Sequence, residues 1–156
     1  MEKIIKEINR LLIKKKKTLA VAESCTGGKL SSLLTEIKGS SCYFLGGIVA
    51  YSNRAKETLL RVPKATLLKN GPVSPETTQL LASSVKKLLG ADIGIGITGI
   101  AGPTGETKET PRGTVFIALE TKKRRFCQTF LFKGRRTTVR KKAALFALEI
   151  LKKTLK

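Results

Sequence analysis

The sequence predicts an α/β protein: a three-layer α/β/α domain around a mixed sheet. Two patterns carry this. Short apolar runs of strand length alternate with longer stretches whose apolar residues recur at helical spacing. Late in the chain two strand-like runs, "TVFIALET" (114–121) and "RFCQTFLF" (125–132), follow each other around "KKR", which predicts a hairpin and so an antiparallel pair.

The opening "MEKIIKEINRLLI" spaces Ile4, Ile5, Ile8, Leu11 and Leu12 as one face of an amphipathic helix. After the lysine run 14–17, "TLAVAE" (18–23) reads as a short buried strand. "GGKLSSLLTEI" then sets Leu30, Leu33, Leu34 and Ile37 on one helical face. "YFLGGIVAY" (43–51) is a second strand, ending on Tyr51, and "NRAKETLL" (53–60) is a short helix that Asn53 could cap. In "VSPETTQLLASSVKKLL" (73–89), Ser74 is the expected N-cap and Pro75 the first helical residue, with Leu80, Leu81, Val85, Leu88 and Leu89 as the stripe. "ADIGIGITG" (91–99) alternates Ile with Gly, a strand whose glycines imply a backbone or helix packed unusually close. "RTTVRKKAALFALEILKKTL" (136–155) is a long final helix with Phe146, Ala147, Ile150 and Leu151 facing inward. One long irregular stretch remains, 99–113, and a loop of that length in a compact domain is usually functional.

The chain of 156 residues is 41% hydrophobic, enough for one core and too much for a disordered tail. No apolar run approaches the ~18–20 residues of a membrane span, and the N-terminus lacks the apolar stretch and cleavage site of a secretory signal. Cys25, Cys42 and Cys127 are odd in number and lack metal-type spacing, which fits reduced thiols and a cytoplasmic location. The formal net charge is +20. Such a field attracts polyanions and would steer in a phosphate-bearing small substrate. The basic clusters 14–17, 122–125 and 135–136 are dispersed along the chain at segment joints and have little aromatic interleaving, so they read as solvated surface. Nucleic-acid binding stays the less favoured alternative.

The chain contains no histidine. That excludes a Ser-His-Asp triad, a Cys-His pair and every His-ligated metal site, and leaves lysine, carboxylate, tyrosine or water as general base. "AVAE-SCTGG" and "IGIT-GIAGPTG" share one layout, a strand followed by a glycine-containing turn. Each would leave polar groups and free N–H at the carboxyl end of a strand, where open α/β sheets bind ligands, and the first runs into a helix N-terminus, which favours anions. Ser24, Cys25 and Thr26 are the nucleophile candidates. Ser24 needs a base, and without histidine the workable one is an uncharged lysine. Lys56, in the first turns of a helix within a strongly positive protein, would have a lowered pKa. Glu23 is either a buried, paired acid that orients its neighbours or a capping or surface acid.

"AESCTGG", "GSS" followed by "YSN-x-x-K", "GPVS", "GIAGP-x-G" and "GTV" occur in an order and spacing that resembles the CinA C-terminal domain family over nearly the whole chain. The resemblance implies a stand-alone nicotinamide mononucleotide deamidase, with residues 1–156 as one domain and without the N-terminal molybdopterin-binding-like domain of larger relatives. It implies hydrolysis of the carboxamide of nicotinamide mononucleotide without metal or cofactor. Ser24 matches the family's nucleophile and Lys56 its basic partner, with Tyr51 beside them. Ser41, Thr98 and Arg136 match positions associated with substrate binding or catalysis, although Arg135 and Arg140 are near enough in sequence to compete with Arg136. Glu23, Thr26, Gly27, Gly28, Asn53, Gly99, Ala101 and Gly102 complete the expected substrate-binding set. The Thr26–Gly28 turn is the candidate oxyanion cradle and "GIAGPTG" with Arg136 the candidate phosphate cradle, and the sequence equally allows the two glycine turns to exchange these roles. The expected assembly is a homodimer, and the expected partner a small mononucleotide.

Overall fold

Helix α1 (Glu2–Lys15) buries Ile5, Ile8 and Leu12 and leads into β1 (Leu19–Glu23), in a computed structural model that describes residues 2–156. Then follow α2 (Lys29–Thr35), a 3₁₀ turn (Ser40–Cys42), β2 (Phe44–Val49), α3 (Asn53–Leu60), α4 (Lys64–Asn70), α5 (Pro75–Leu89), β3 (Ile93–Gly99), β4 (Thr114–Glu120), β5 (Arg125–Leu131) and α6 (Arg136–Leu155). The five strands form one sheet in the order β2-β1-β3-β4-β5. β1 lies parallel to both β2 and β3, whereas β3–β4 and β4–β5 are antiparallel, so the sheet is mixed as expected.

The two faces of β1 separate the layers, because successive side chains alternate across a strand. Leu19 and Val21 join the core under α1, α2 and α6, which also holds Ile95, Ile97, Leu148 and Leu151. Ala20 and Ala22 join the opposite core with Leu60, Leu67, Leu81 and Val85 from α3, α4 and α5. No helix among the described residues is long and apolar enough to cross a membrane.

The glycines of β3 do what their spacing suggests. A Cβ on Gly94 would collide with the Ala82 carbonyl, and one on Gly96 with the Thr78 carbonyl. α5 therefore rests its backbone directly on the strand, and its buried face is made of small residues, Thr77, Thr78 and Ala82, beside Leu81 and Val85. Leu88, expected on that face, is instead exposed. Ser74 caps α5, its Oγ accepting from the Thr77 N–H at 3.2 Å, with Pro75 at the first position.

Three details depart from expectation. β2 stops at Val49, so Tyr51 stands beyond the strand and is exposed. The cap of α3 is Ser52, whose Oγ accepts from Ala55 N–H at 3.0 Å, and Asn53 is already helical. The helix α4 was not foreseen: it spans seven residues, and of these only Leu67 is buried, too little for a period to show. The 99–113 loop has a closed neck, with Ile100 N–H donating to Thr114 O at 2.8 Å and Gly113 N–H to Ile100 O at 2.7 Å.

Candidate active site

β1 connects onward to β2 on one side, and the chain then crosses back to β3 on the other. The carboxyl ends of β1 and β3 thus flank a topological switch point, the place where open α/β sheets hold ligands. Ser24 is the first residue past β1, and its N–H donates to Ile97 O of β3 at 3.0 Å, which ties the turn to the neighbouring strand. The chain then reverses through Gly27 (φ 58°) and Gly28 (φ 91°), backbone conformations that side chains disfavour.

Lys56 comes from the middle of α3, yet it is 2% exposed. Its Nζ is 3.3 Å from Ser24 Oγ and 3.1 Å from the Ala50 carbonyl oxygen. Among the described residues it has no carboxylate partner. Burial pushes its pKa below the ordinary 10.5, since a low-dielectric setting disfavours the charged form. The helix N-terminus is not needed for this shift. An uncharged amine here can donate one N–H to Ala50 O and turn its lone pair toward the Ser24 hydroxyl.

These two residues open onto a cleft of about 330 Å³, also lined by Tyr51, Asn53, Gly99, Ala101, Gly102 and Arg136. That volume falls within the small-ligand range of about 300–1,000 Å³. Arg136, at the start of α6, spans the cleft mouth: its Nη1 donates to Gly102 O at 2.8 Å and its Nη2 to Tyr51 Oη at 2.7 Å. Both acceptors are neutral, and among the described residues no carboxylate pairs with the guanidinium. Arg140, one helical turn further on, does something different. Its Nε donates to Cys25 O at 3.0 Å and its Nη2 to Thr26 O at 2.9 Å, bracing the turn behind Ser24. Sequence reasoning treated it only as a competitor for the role of Arg136. Its one legible signal was the spacing of four, which puts both arginines on one helix face. Ile100 and Thr104, within the expected "GIAGPTG" segment, also line the cleft, and Pro72 and Val73 do so without having been expected there.

Other expected residues are placed elsewhere. The Glu23 carboxylate is fully buried and accepts from the N–H groups of Gly28, Leu30 and Ser31 and from Ser31 Oγ, at 2.7–3.1 Å. It caps α2 from below, and its oxygens are occupied. Gly28 N–H is spent on that carboxylate and Gly27 N–H on Ser24 O (3.1 Å), so neither is free to cradle an oxyanion. Thr98 is fully buried, and its Oγ1 lies 2.7 Å from Thr78 Oγ1, fastening β3 to α5 rather than lining the cleft. The Thr26 hydroxyl is buried inside the turn without a partner among the described residues. Ser41 sits in the 3₁₀ turn before β2, at the amino end of a strand parallel to β1 and so at the opposite end of the strands from the cleft. Cys25 touches the cleft, but burial pushes its thiol up to about 12, which removes the thiolate a nucleophile needs. No group of three or more Cys, Asp or Glu is placed to hold a metal among the described residues.

A family model for the CinA C-terminal domain matches residues 1–155. The chain belongs to the CinA C-terminal domain family. A CinA-like protein of Thermotoga maritima is 50% identical over 155 residues, covering 99% of this chain and 38% of its own length. A putative competence-damage inducible protein of Thermoanaerobacter pseudethanolicus is 43% identical over 154 residues, with coverage of 99% and 37%. The chain thus spans less than two-fifths of the length of these curated relatives. Among solved CinA-family structures, the competence damage-inducible protein A of Klebsiella pneumoniae superposes with a TM-score of 0.95 at 35% identity, covering 99% of this chain and 96% of that one. The competence or damage-inducible protein of Enterobacter asburiae gives the same TM-score and identity, with 99% and 98% coverage.

Proposed function

We propose that the protein hydrolyses the carboxamide of nicotinamide mononucleotide, giving nicotinate mononucleotide and ammonia. The observation that carries this is the 3.3 Å approach of Lys56 Nζ to Ser24 Oγ, two buried groups meeting at the sheet's switch point in a protein without histidine.

Unprotonated Lys56 removes the Ser24 proton as Oγ bonds to the carboxamide carbon, and the carbonyl oxygen takes up the negative charge. The resulting ammonium returns its proton to the leaving nitrogen, the C–N bond breaks, and ammonia departs. Water, relieved of a proton by Lys56, then cleaves the Ser24 ester to nicotinate mononucleotide and restores the hydroxyl. The N–H of Cys25, a residue that lines the cleft, is the candidate donor for the oxyanion, and one well-placed donor is worth about 3–4 kcal/mol. Arg136, charged and facing only neutral acceptors, takes the phosphate together with the Gly99–Gly102 segment. The phosphate of the substrate suits a positive surface. We expect a homodimer, the commonest assembly of such enzymes, to be checked by light scattering.

The test is ammonia release from nicotinamide mononucleotide by the purified protein in the presence of chelator, for wild type, Ser24→Ala and Lys56→Ala. Both variants should lose turnover by a factor of about 10²–10⁴ while circular dichroism shows the fold retained. Undiminished turnover in Ser24→Ala would remove Ser24 as nucleophile. Nucleotide binding with no ammonia from wild type would make the protein a binding module.

A further inference from the structure

Two of the basic clusters, 14–17 and 122–125, meet in space with the lysines that end α6, although the three stretches lie far apart in sequence. β1 and β3 begin at the sheet edge opposite the active-site cleft. β4 ends there, β5 begins there, and α1 and α6 deliver their C-terminal turns to the same edge. Between them lies a concavity of about 510 Å³, larger than the cleft that holds Ser24. Lys15 from α1, Lys122, Lys123 and Arg124 from the β4–β5 turn, and Lys153 from α6 line it, and among the described residues none of these has a carboxylate partner. Lys17 and Lys156 line it too, but they are held by Asp92 (3.0 Å) and Glu7 (3.4 Å). Asp92, the one acid in the lining, is further occupied by the N–H and hydroxyl of Thr18, at 3.0 and 3.1 Å.

Lysines at helix C-termini complement the helix dipole, which accounts for Lys15 and Lys153. It does not account for the cations of the turn, which face the same hollow and repel the others. A concave, single-sign lining with low-dielectric walls focuses its field and gathers counter-ions. The walls here include Ile93 and Leu155.

We propose that this groove is a second binding site, for a compact polyphosphate of three or more linked phosphates. The hollow shape and the absence of aromatic residues from its lining favour such a chain over an extended strand of nucleic acid, which would call for stacking platforms. Arg124 supplies a planar fork that matches phosphate oxygens, and the lysines supply point charges around it. The groove lies at the other end of the strands from Ser24 and Lys56, so occupancy does not depend on the amidase chemistry.

The experiment is calorimetric titration of inorganic tripolyphosphate into the protein at physiological ionic strength, for wild type, Lys122→Glu/Arg124→Glu, Lys153→Glu and Ser24→Ala. Wild type and Ser24→Ala should bind alike. The double variant should lose at least tenfold in affinity and Lys153→Glu severalfold, with unchanged circular dichroism. Adenosine triphosphate should compete for the same site: tighter binding than tripolyphosphate assigns the apolar wall to its base, and equal binding assigns recognition to the phosphate chain, either outcome upholding the site. Equal affinity in wild type and double variant, or orthophosphate binding as well as tripolyphosphate, overturns it. So does a 20-base-pair duplex that binds with a steep salt dependence and is not displaced by tripolyphosphate.

Discussion

Lys56 Nζ rests 3.3 Å from Ser24 Oγ although 32 positions separate them in the chain. The contact arises because α3 follows β2, β2 pairs with β1, and Ser24 ends β1. If the two side chains act as a unit, their losses will not add. The double variant Ser24→Ala/Lys56→Met should release ammonia no more slowly than the worse single variant, within about threefold, in a single-turnover assay.

Burial lowers the Lys56 pKa, and this has two consequences with fixed signs. The base must be uncharged, so kcat/KM should rise with pH and level off with a midpoint below 10.5. For stability, the unfolded chain holds the Lys56 proton more tightly than the folded one. Stability of the wild type therefore increases as pH rises from the folded value toward 10.5, and is lost as pH falls back through the folded value. Lys56→Met has no charge to desolvate. Its advantage in urea unfolding at neutral pH should shrink steadily on going to alkaline solution.

The Cys25 thiol, pushed up to about 12 and buried, should resist iodoacetamide at pH 8. Cys42, which is exposed, should be alkylated first, as read by peptide mass spectrometry. Cys25→Ala should keep turnover within about tenfold of wild type, where loss of a true nucleophile would cost orders of magnitude.

The two arginines of α6 should separate kinetically. Arg136→Ala should chiefly raise KM for the mononucleotide, by about tenfold or more, the effect of losing a charge-assisted contact of about 1.5–3 kcal/mol. Arg140→Ala frees the Cys25 and Thr26 carbonyls and lets the turn drift. It should chiefly lower kcat, by up to about 10²-fold, since misplacement near 1 Å is that costly.

Gly96→Ala drives a methyl group into the Thr78 carbonyl. The helix must lift, and overpacking of this kind costs about 1–3 kcal/mol. Thermal unfolding should show the loss, while Gly90→Ala, which meets nothing within 4 Å but holds a left-handed φ of 63°, should lose less.

Much of the architecture was legible because it is written in short-range terms. The helix 136–155 and the hairpin around 122–124 lie where period and turn chemistry put them. The Gly-Ile alternation foretold the close seat of α5. The site was legible only in part. Elimination of histidine pointed to a lysine base, but burial, not helix position, lowers the pKa of Lys56. Glu23 could have been separated from the cleft by parity: it shares with Val21 the strand face that meets α2. Ser41 lies at the wrong end of β2, a matter of strand direction that no local pattern encodes. The lysine clusters looked scattered because their convergence depends on four strand ends and two helix ends meeting at one edge.

The closed neck of the 99–113 loop bears on how continuous the chain has to be. β3 and β4 pair along their whole length, from Gly94↔Glu120 to Gly99↔Val115, so the exposed residues 105–109 are not what holds the two sides together. A peptide bond severed there by a protease should yield a nicked particle that travels as one species in gel filtration, with Arg140 of the second piece still gripping the carbonyls of the first. Separately produced halves, mixed while unfolded and diluted together, should reconstitute.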